Sequence, residues 1–237
     1  MNSFEQLWPG GPVFCQAAHF RLGTDCVLLA DFVNTAGARR GIDLGCASGA
    51  AMLLLLSRTE RLHMTGVELL PEAAECAREN LAANALGTRG EVVTGDIREH
   101  RTLFRAGSFD LVVANPPYYP VGSGTLPANA ERALARGELT CTLEELCTAA
   151  AFLCRTGGSA CLVHKPERLS ELLCCLTGCG LEPKRLRLVC PRPESAPSLV
   201  LVEARRGGRP GLRIEPPLLL QDADGNESAE VKRIYHR

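Results

Sequence analysis

The chain has 237 residues, of which 46% are hydrophobic, and a formal net charge of -1. That length suits one α/β domain with a large core. The balanced charge excludes a global pull towards nucleic acid or membrane, though a local patch can still act. Twelve cysteines invite a disulfide or zinc reading, but there is no C-x-x-C pair. His19, His63, His100, His164 and His236 are scattered as well. With no basic leader and no long apolar span, the expectation is a cytoplasmic protein with neither metal nor membrane contact. Its cysteines then serve as small buried hydrophobes.

In chain order, FRLGTDCVLLADFVNTAG holds a short helix that Thr24 or Asp25 could cap. A strand ends at Asp43-Leu44-Gly45, and AAMLLLLSR follows as a helix buried on most sides. HMTGVEL is a strand ending in Glu68. Pro71 suits the first turn of the helix PEAAECARENLAANAL. EVVTGD is a short strand ending in Asp96. FDLVVAN is the next strand, and its apolar run stops at Asn115-Pro116. Residues 120–142, rich in Gly, Pro and small residues, are expected to be a mobile loop. Thr142 and Glu145 form a candidate capping box for TLEELCTAAAFLCR. GSACLVHK is a strand, PERLSELLCCLTGCG a helix, and LEPKRLRLVC and SLVLVEARR are two late strands with no helix between them. Residues 182–213 hold eight Lys or Arg against three Glu, which is either a set of solvated edge charges or a phosphate-contacting patch.

Repeated β-α units predict an α/β fold with a doubly wound, mostly parallel sheet of seven strands and a final antiparallel strand. One domain over 1–237 is expected. It divides into a 1–40 segment that closes over a ligand, a 41–206 core and a 207–237 tail. Ligands of open α/β sheets sit beyond the carboxyl ends of the strands. Asp43, Glu68, Asp96 and Asn115 end four consecutive strands, so acids and an amide gather at one edge. DLGCASG is a strand-to-helix turn whose glycines allow close backbone approach. It lacks the Lys-Ser/Thr of a phosphate-binding loop, and the surrounding acids disfavour a phosphate. Glu68, 19 residues after Gly49, is well placed for ribose hydroxyls.

DLGCASG, the acids of GVEL and TGDI, and above all NPPY after an apolar strand resemble the class I S-adenosylmethionine-dependent methyltransferases that modify planar nitrogens. FRLGTDCVLLADF, the second tyrosine of NPPYY and the tail LRIEPPLLLQDADGNESAEVKRIYH narrow this. They resemble the bacterial tRNA (adenine-N6)-methyltransferases that act beside the anticodon of a valine tRNA. The resemblance covers nearly the whole chain. It implies a Rossmann-like fold, S-adenosyl-L-methionine as cofactor and tRNA as partner. It implies that Asp43, Gly45 and Gly49 shape the methionine and ribose pocket, and that Glu68 holds the ribose. Asp96 would meet the cofactor's adenine amino group, and Thr24 and Asp25 would close the methionine end. Asn115, which also borders the cofactor, and Pro116 would accept the target amino hydrogens. Tyr118 would stack on the flipped base, while Tyr119 either packs the loop or touches substrate. Two departures stand out: Ala47 where the family turn carries glycine, and Gly137 where relatives often have histidine. A methyl group at Ala47 is tolerated at negative φ and strained at positive φ.

Other readings share the planar NH2. Release-factor glutamine methylation is disfavoured by the short stretch before the glycine turn. Ribosomal guanine-N2 methylation is disfavoured by Tyr118, where phenylalanine is common. DNA adenine methylation would want a target-recognition domain. A non-catalytic cofactor- or RNA-binding scaffold is opposed by the intact NPPY.

Overall fold

A computed structural model describes residues 4–16, 22–116 and 141–237. Tyr118, Tyr119, Gly137 and nearly all of the 120–142 stretch lie outside the described residues. The short strands β1 (Glu5–Gln6) and β2 (Val13–Phe14) pair as an antiparallel hairpin. Then come α1 (Thr24–Phe32), β3 (Arg40–Leu44), α2 (Ala50–Ser57), β4 (His63–Glu68), α3 (Pro71–Ala83), β5 (Gly90–Thr94), α4 (His100–Leu103) and β6 (Phe109–Ala114). After the undescribed stretch follow α5 (Leu143–Leu153), β7 (Cys154–His164), α6 (Leu169–Gly178), β8 (Leu181–Cys190) and β9 (Leu199–Arg206). The chain closes with β10 (Arg213–Ile214), β11 (Leu218–Leu219) and α7 (Ala229–Ile234).

The main sheet runs β10-β8-β9-β7-β6-β3-β4-β5, with β11 alongside β8. Pairings among β3 to β7 are parallel, and β9 is antiparallel to both β7 and β8. The seven long strands are those expected from sequence, and the late pair is antiparallel as its missing helix required. The two short strands β10 and β11, both parallel to β8, were not anticipated, because two-residue strands carry no periodicity.

Alternation along each strand divides the core between the two faces of the sheet. Ile42, Leu44, Val112 and Ala114 face α5 and α6. Leu111 and Val113 join the cluster that holds α1, α2 and α7. In α2, Ala51, Met52, Leu53, Leu55 and Leu56 are all buried, as its continuous apolar run implied. Each of the large side chains contributes about 1.5–3 kcal/mol of burial. Seven of the twelve cysteines are buried and all twelve are free thiols.

Local expectations met mixed outcomes. The Thr142–Glu145 capping box forms in both directions. At α1, however, the N-cap is Gly23 with no side-chain cap, and Thr24 and Asp25 lie inside the first turn. The Asp25 carboxylate instead accepts from the adjacent Cys26 N–H at 2.8 Å. α3 ends at Ala83, three residues short of the apolar pattern, because Ala85 turns to φ +55°. In the 182–213 patch, Arg185 pairs with Glu203 and lies over the Phe32 ring, and Arg187 grips Glu230 with both terminal nitrogens. Lys184 donates to the Arg209 carbonyl, Arg206 to the Cys179 carbonyl, Arg192 to Gln221 and Arg213 to Glu215. Six of the eight cations of the stretch thus contact the fold's own strands and tail.

Candidate functional site

Strand order reverses between β3 and β6: the chain leaves β3 for β4 and β5, then returns to lay β6 on the other side. Such a switch point opens a crevice at the carboxyl ends of the strands. Leu44 pairs with Ala114 on one side and Val67 on the other. Gly45, Glu68 and Asn115 are the residues that directly follow these three in the chain, and the Gly45 N–H donates to the Val67 carbonyl at 2.9 Å. Glu68 in turn pairs with Thr94, two residues before Asp96. Neighbouring strands are about 4.8 Å apart, so the strands that lead to Asn115 and to Asp96 are separated by three spacings, roughly 14 Å across the sheet. The sheet thus brings Asp43, Gly45, Glu68, Asp96 and Asn115 to one edge, as the sequence predicted.

The glycine turn carries an unusual backbone. Gly45 and Gly49 both have φ +78°, and Ala47 has φ +48°. A Cβ on Gly45 would meet nothing within 4 Å, so the turn faces open space there. A Cβ on Gly49 would come within 3.0 Å of Ala77 on α3. Gly49 therefore serves helix packing and the left-handed cap of α2, while Gly45 leaves the approach clear. Ala47 falls in the strained branch of the sequence expectation. A left-handed non-glycine residue costs about 1–2 kcal/mol and persists only where its surroundings enforce it.

Those surroundings can be named. The buried Glu68 carboxylate accepts the Ala47 N–H and the Leu70 N–H, each at 2.9 Å. The Leu69 N–H also acts on this carboxylate, which retains acceptor capacity for a ligand hydroxyl. At the next residue, the Asn80 side-chain amide donates to the Ser48 carbonyl at 2.9 Å. Sequence reading missed Asn80. The available signal was a pair of asparagines four residues apart, Asn80 in the last turns of α3 and Asn84 at its C-cap.

The site is acidic and desolvated. Burial, then the nearby Glu68, raises the Asp43 carboxyl to about 7. Burial also raises Glu68, against the pull of its backbone donors. Cys46 in the turn and Cys26 in α1 have thiols pushed well up, first by burial and then by Asp43. Cys26, in the first turn of α1, thus feels the Asp43 charge. Asp96 is held differently. Arg98 donates to it from Nε at 2.8 Å and from its backbone N–H at 2.8 Å, and holds its carboxyl below the usual range. Asp96 thus caps the 3₁₀ turn Ile97–Glu99. Asn115 and Pro116 are half-buried at the end of β6. Tyr118 lies outside the described residues.

A crevice with two close, partly repelling carboxylates, a bare glycine backbone and no lysine or arginine in the turn fits a cationic nucleoside better than a phosphate. Among the described residues no cluster of three metal-ligating side chains occurs, and no helix is long and apolar enough to cross a membrane.

This arrangement is that of the methyltransferase small domain family, whose pattern matches residues 10–167, and the chain belongs to it. Among its relatives is the tRNA1(Val) (adenine(37)-N6)-methyltransferase of Tolumonas auensis, 35% identical over 213 residues, 89% of this chain and 86% of that one. The enzyme of the same name from Porphyromonas gingivalis is 34% identical over 222 residues, 90% of this chain and 86% of its own. A solved structure from Agrobacterium tumefaciens, described as a predicted O-methyltransferase, is similar with a TM-score of 0.72. It is 25% identical and the match covers 90% of this chain and 96% of that one. A geranyl diphosphate C-methyltransferase from Streptomyces coelicolor, solved with S-adenosyl-L-homocysteine, shares the fold. Its TM-score is 0.56 at 14% identity, over 76% and 78% of the two chains.

Proposed function

We propose that this chain is a cytoplasmic S-adenosyl-L-methionine-dependent methyltransferase that modifies N6 of an adenine in tRNA, beside the anticodon of a valine tRNA. The observation that carries the reading is the placement of Asn115-Pro116 at the switch point, one strand from the open glycine turn. The names of the two relatives from Tolumonas auensis and Porphyromonas gingivalis support the substrate. The 1–237 chain works as one domain, with the 1–40 segment closing the methionine end through Thr24 and Asp25.

When bound, the cofactor supplies an electrophilic methyl group on a sulfonium. Asp43 and Glu68 hold its positive charge and its ribose hydroxyls, and Asp96 meets its adenine amino group. An exocyclic amine is a weak nucleophile because its lone pair is delocalised into the ring. The Asn115 side-chain oxygen and the Pro116 carbonyl each accept one amino hydrogen. That localises the lone pair and stabilises positive charge on nitrogen by fixed dipoles. Proline stiffness holds both acceptors in register. Tyr118 is the proposed platform for the unstacked base, worth about 1–3 kcal/mol. No strong general base is needed, since the nitrogen becomes acidic as it gains charge, and the proton held at Asn115 leaves to water.

The test supplies labelled cofactor with unmodified tRNA, ribosomal RNA and release factor in separate reactions. Label recovered as N6-methyladenosine from tRNA supports the reading. Label on a glutamine amide or on guanine N2 transfers the chemistry to another substrate.

A further inference from the structure

We infer that Asn80 is a positioning residue for the cofactor, acting by holding the glycine turn in its strained form. This rests on the cofactor reading above. Asn80 is fully buried in α3. Its amide nitrogen donates to the Ser48 carbonyl at 2.9 Å and to the Cys15 carbonyl at 2.8 Å, and its oxygen accepts the Cys15 N–H at 2.7 Å. One turn later, Asn84 repeats the pattern: its oxygen accepts the Val13 N–H at 2.9 Å and its nitrogen donates to the Val13 carbonyl at 2.7 Å. The two asparagines thus present a strand-like edge to alternate residues of the N-terminal segment. Only Asn80 also reaches the turn.

Asn80 and Glu68 hold the turn at consecutive residues. Glu68 takes the N–H of Ala47 and Asn80 supports the carbonyl of the next residue, Ser48. Between these two anchors sits φ +48° at Ala47. An alanine left to itself returns to negative φ, which would rotate the peptide linking the two anchors and move the backbone around Gly45. Asn80 therefore sets cofactor affinity without touching the cofactor. Asn84 fastens the N-terminal segment to the end of α3, donating also to the Asn80 carbonyl at 2.7 Å, and makes no bond to the turn.

Asn80→Asp keeps the shape and the acceptor but removes the donors to Ser48 and Cys15. The expected result is about a tenfold weaker Kd for S-adenosylhomocysteine, read by calorimetry. KM for the cofactor rises while kcat at saturating cofactor stays near that of the parent. Ala47→Gly removes the strain, so the Asn80→Asp loss shrinks to about threefold or less in that background. Asn84→Ala lowers Tm but leaves Kd within about twofold. If Asn80→Asp alone does not fold, Ala47→Gly is compared with the double variant, which is expected to fold and bind. Equal binding by Asn80→Asp and the parent would overturn the inference. So would a loss that Ala47→Gly does not reduce, or a double variant that neither folds nor binds. A parent protein with no affinity for S-adenosylhomocysteine would instead overturn the cofactor reading itself.

Discussion

Asp43 carries the least ordinary electrostatics of the site. Its folded carboxyl is raised to about 7 from 3.8, so between those values the folded chain holds a proton that the unfolded chain has released. The Asp43 contribution to the stability of the ligand-free protein therefore falls as pH rises from about 4 to about 7 and is level above that. Asp43→Asn removes this cost, and thermal melts at pH 8 are expected to show a more stable protein, by up to about 4 kcal/mol. The same variant should bind cofactor more weakly, because the charged form is the one a cation favours. In the parent, cofactor affinity is expected to fall as pH drops through about 7, and a flat pH profile in Asp43→Asn checks the assignment. The residue types at this edge were readable from the chain because strand-end acids and glycines break an apolar pattern. Their neighbours were not. The backbone donor of Ala47 to Glu68 and the Arg98 grip on Asp96 depend on turn geometry that no spacing encodes.

Elements carry their own consequences. α5 begins at a capping box closed from both sides, with the Thr142 N–H donating to Glu145 at 2.8 Å. Thr142→Ala should cost about 1 kcal/mol in urea unfolding, with no change in cofactor Kd. α2 buries nearly its whole circumference, and Leu53 is fully covered. Leu53→Ala should cost about 2–5 kcal/mol by the cavity it leaves. Long apolar strands and helices such as β6 and α2 were legible because period and length are set by burial on the sheet. The start of α1 was not: Thr24 and Asp25 have the right chemistry for a cap, but Gly23 takes the position and Asp25 turns to Cys26. The basic 182–213 stretch was legible in composition only. Its charges find Glu203, Glu215 and Glu230, of which Glu215 and Glu230 come from the tail, beyond the reach of a local reading.

At the scale of the molecule, the tail packs on α1 and touches the N-terminal hairpin. Arg233 of α7 pairs with Asp31 of α1 through two nitrogens at 3.1 and 3.0 Å, and Arg187 of β8 pairs with Glu230. Val231 and Ile234 are buried in the same cluster as α1 and α2, and the Trp8 ring stacks on His236 at 4.2 Å. Removing residues 229–237 exposes that apolar surface and leaves Arg187 without its carboxylate. The truncated chain should melt several degrees lower, with a larger fall than Arg233→Ala alone. The whole arrangement brings Asn115, the glycine turn, Glu68 and Asp96 to the carboxyl edge of the sheet, where the proposed function puts cofactor and target amine. The most direct measurement pairs nucleoside analysis of unmodified valine tRNA, treated with labelled cofactor, with cofactor Kd, for the parent and Asn115→Ala. The account predicts labelled N6-methyladenosine with the parent. With Asn115→Ala it predicts a loss of at least about 100-fold in turnover at a Kd within about threefold of the parent. Near-parental turnover by Asn115→Ala, or label placed on an oxygen atom, would contradict it.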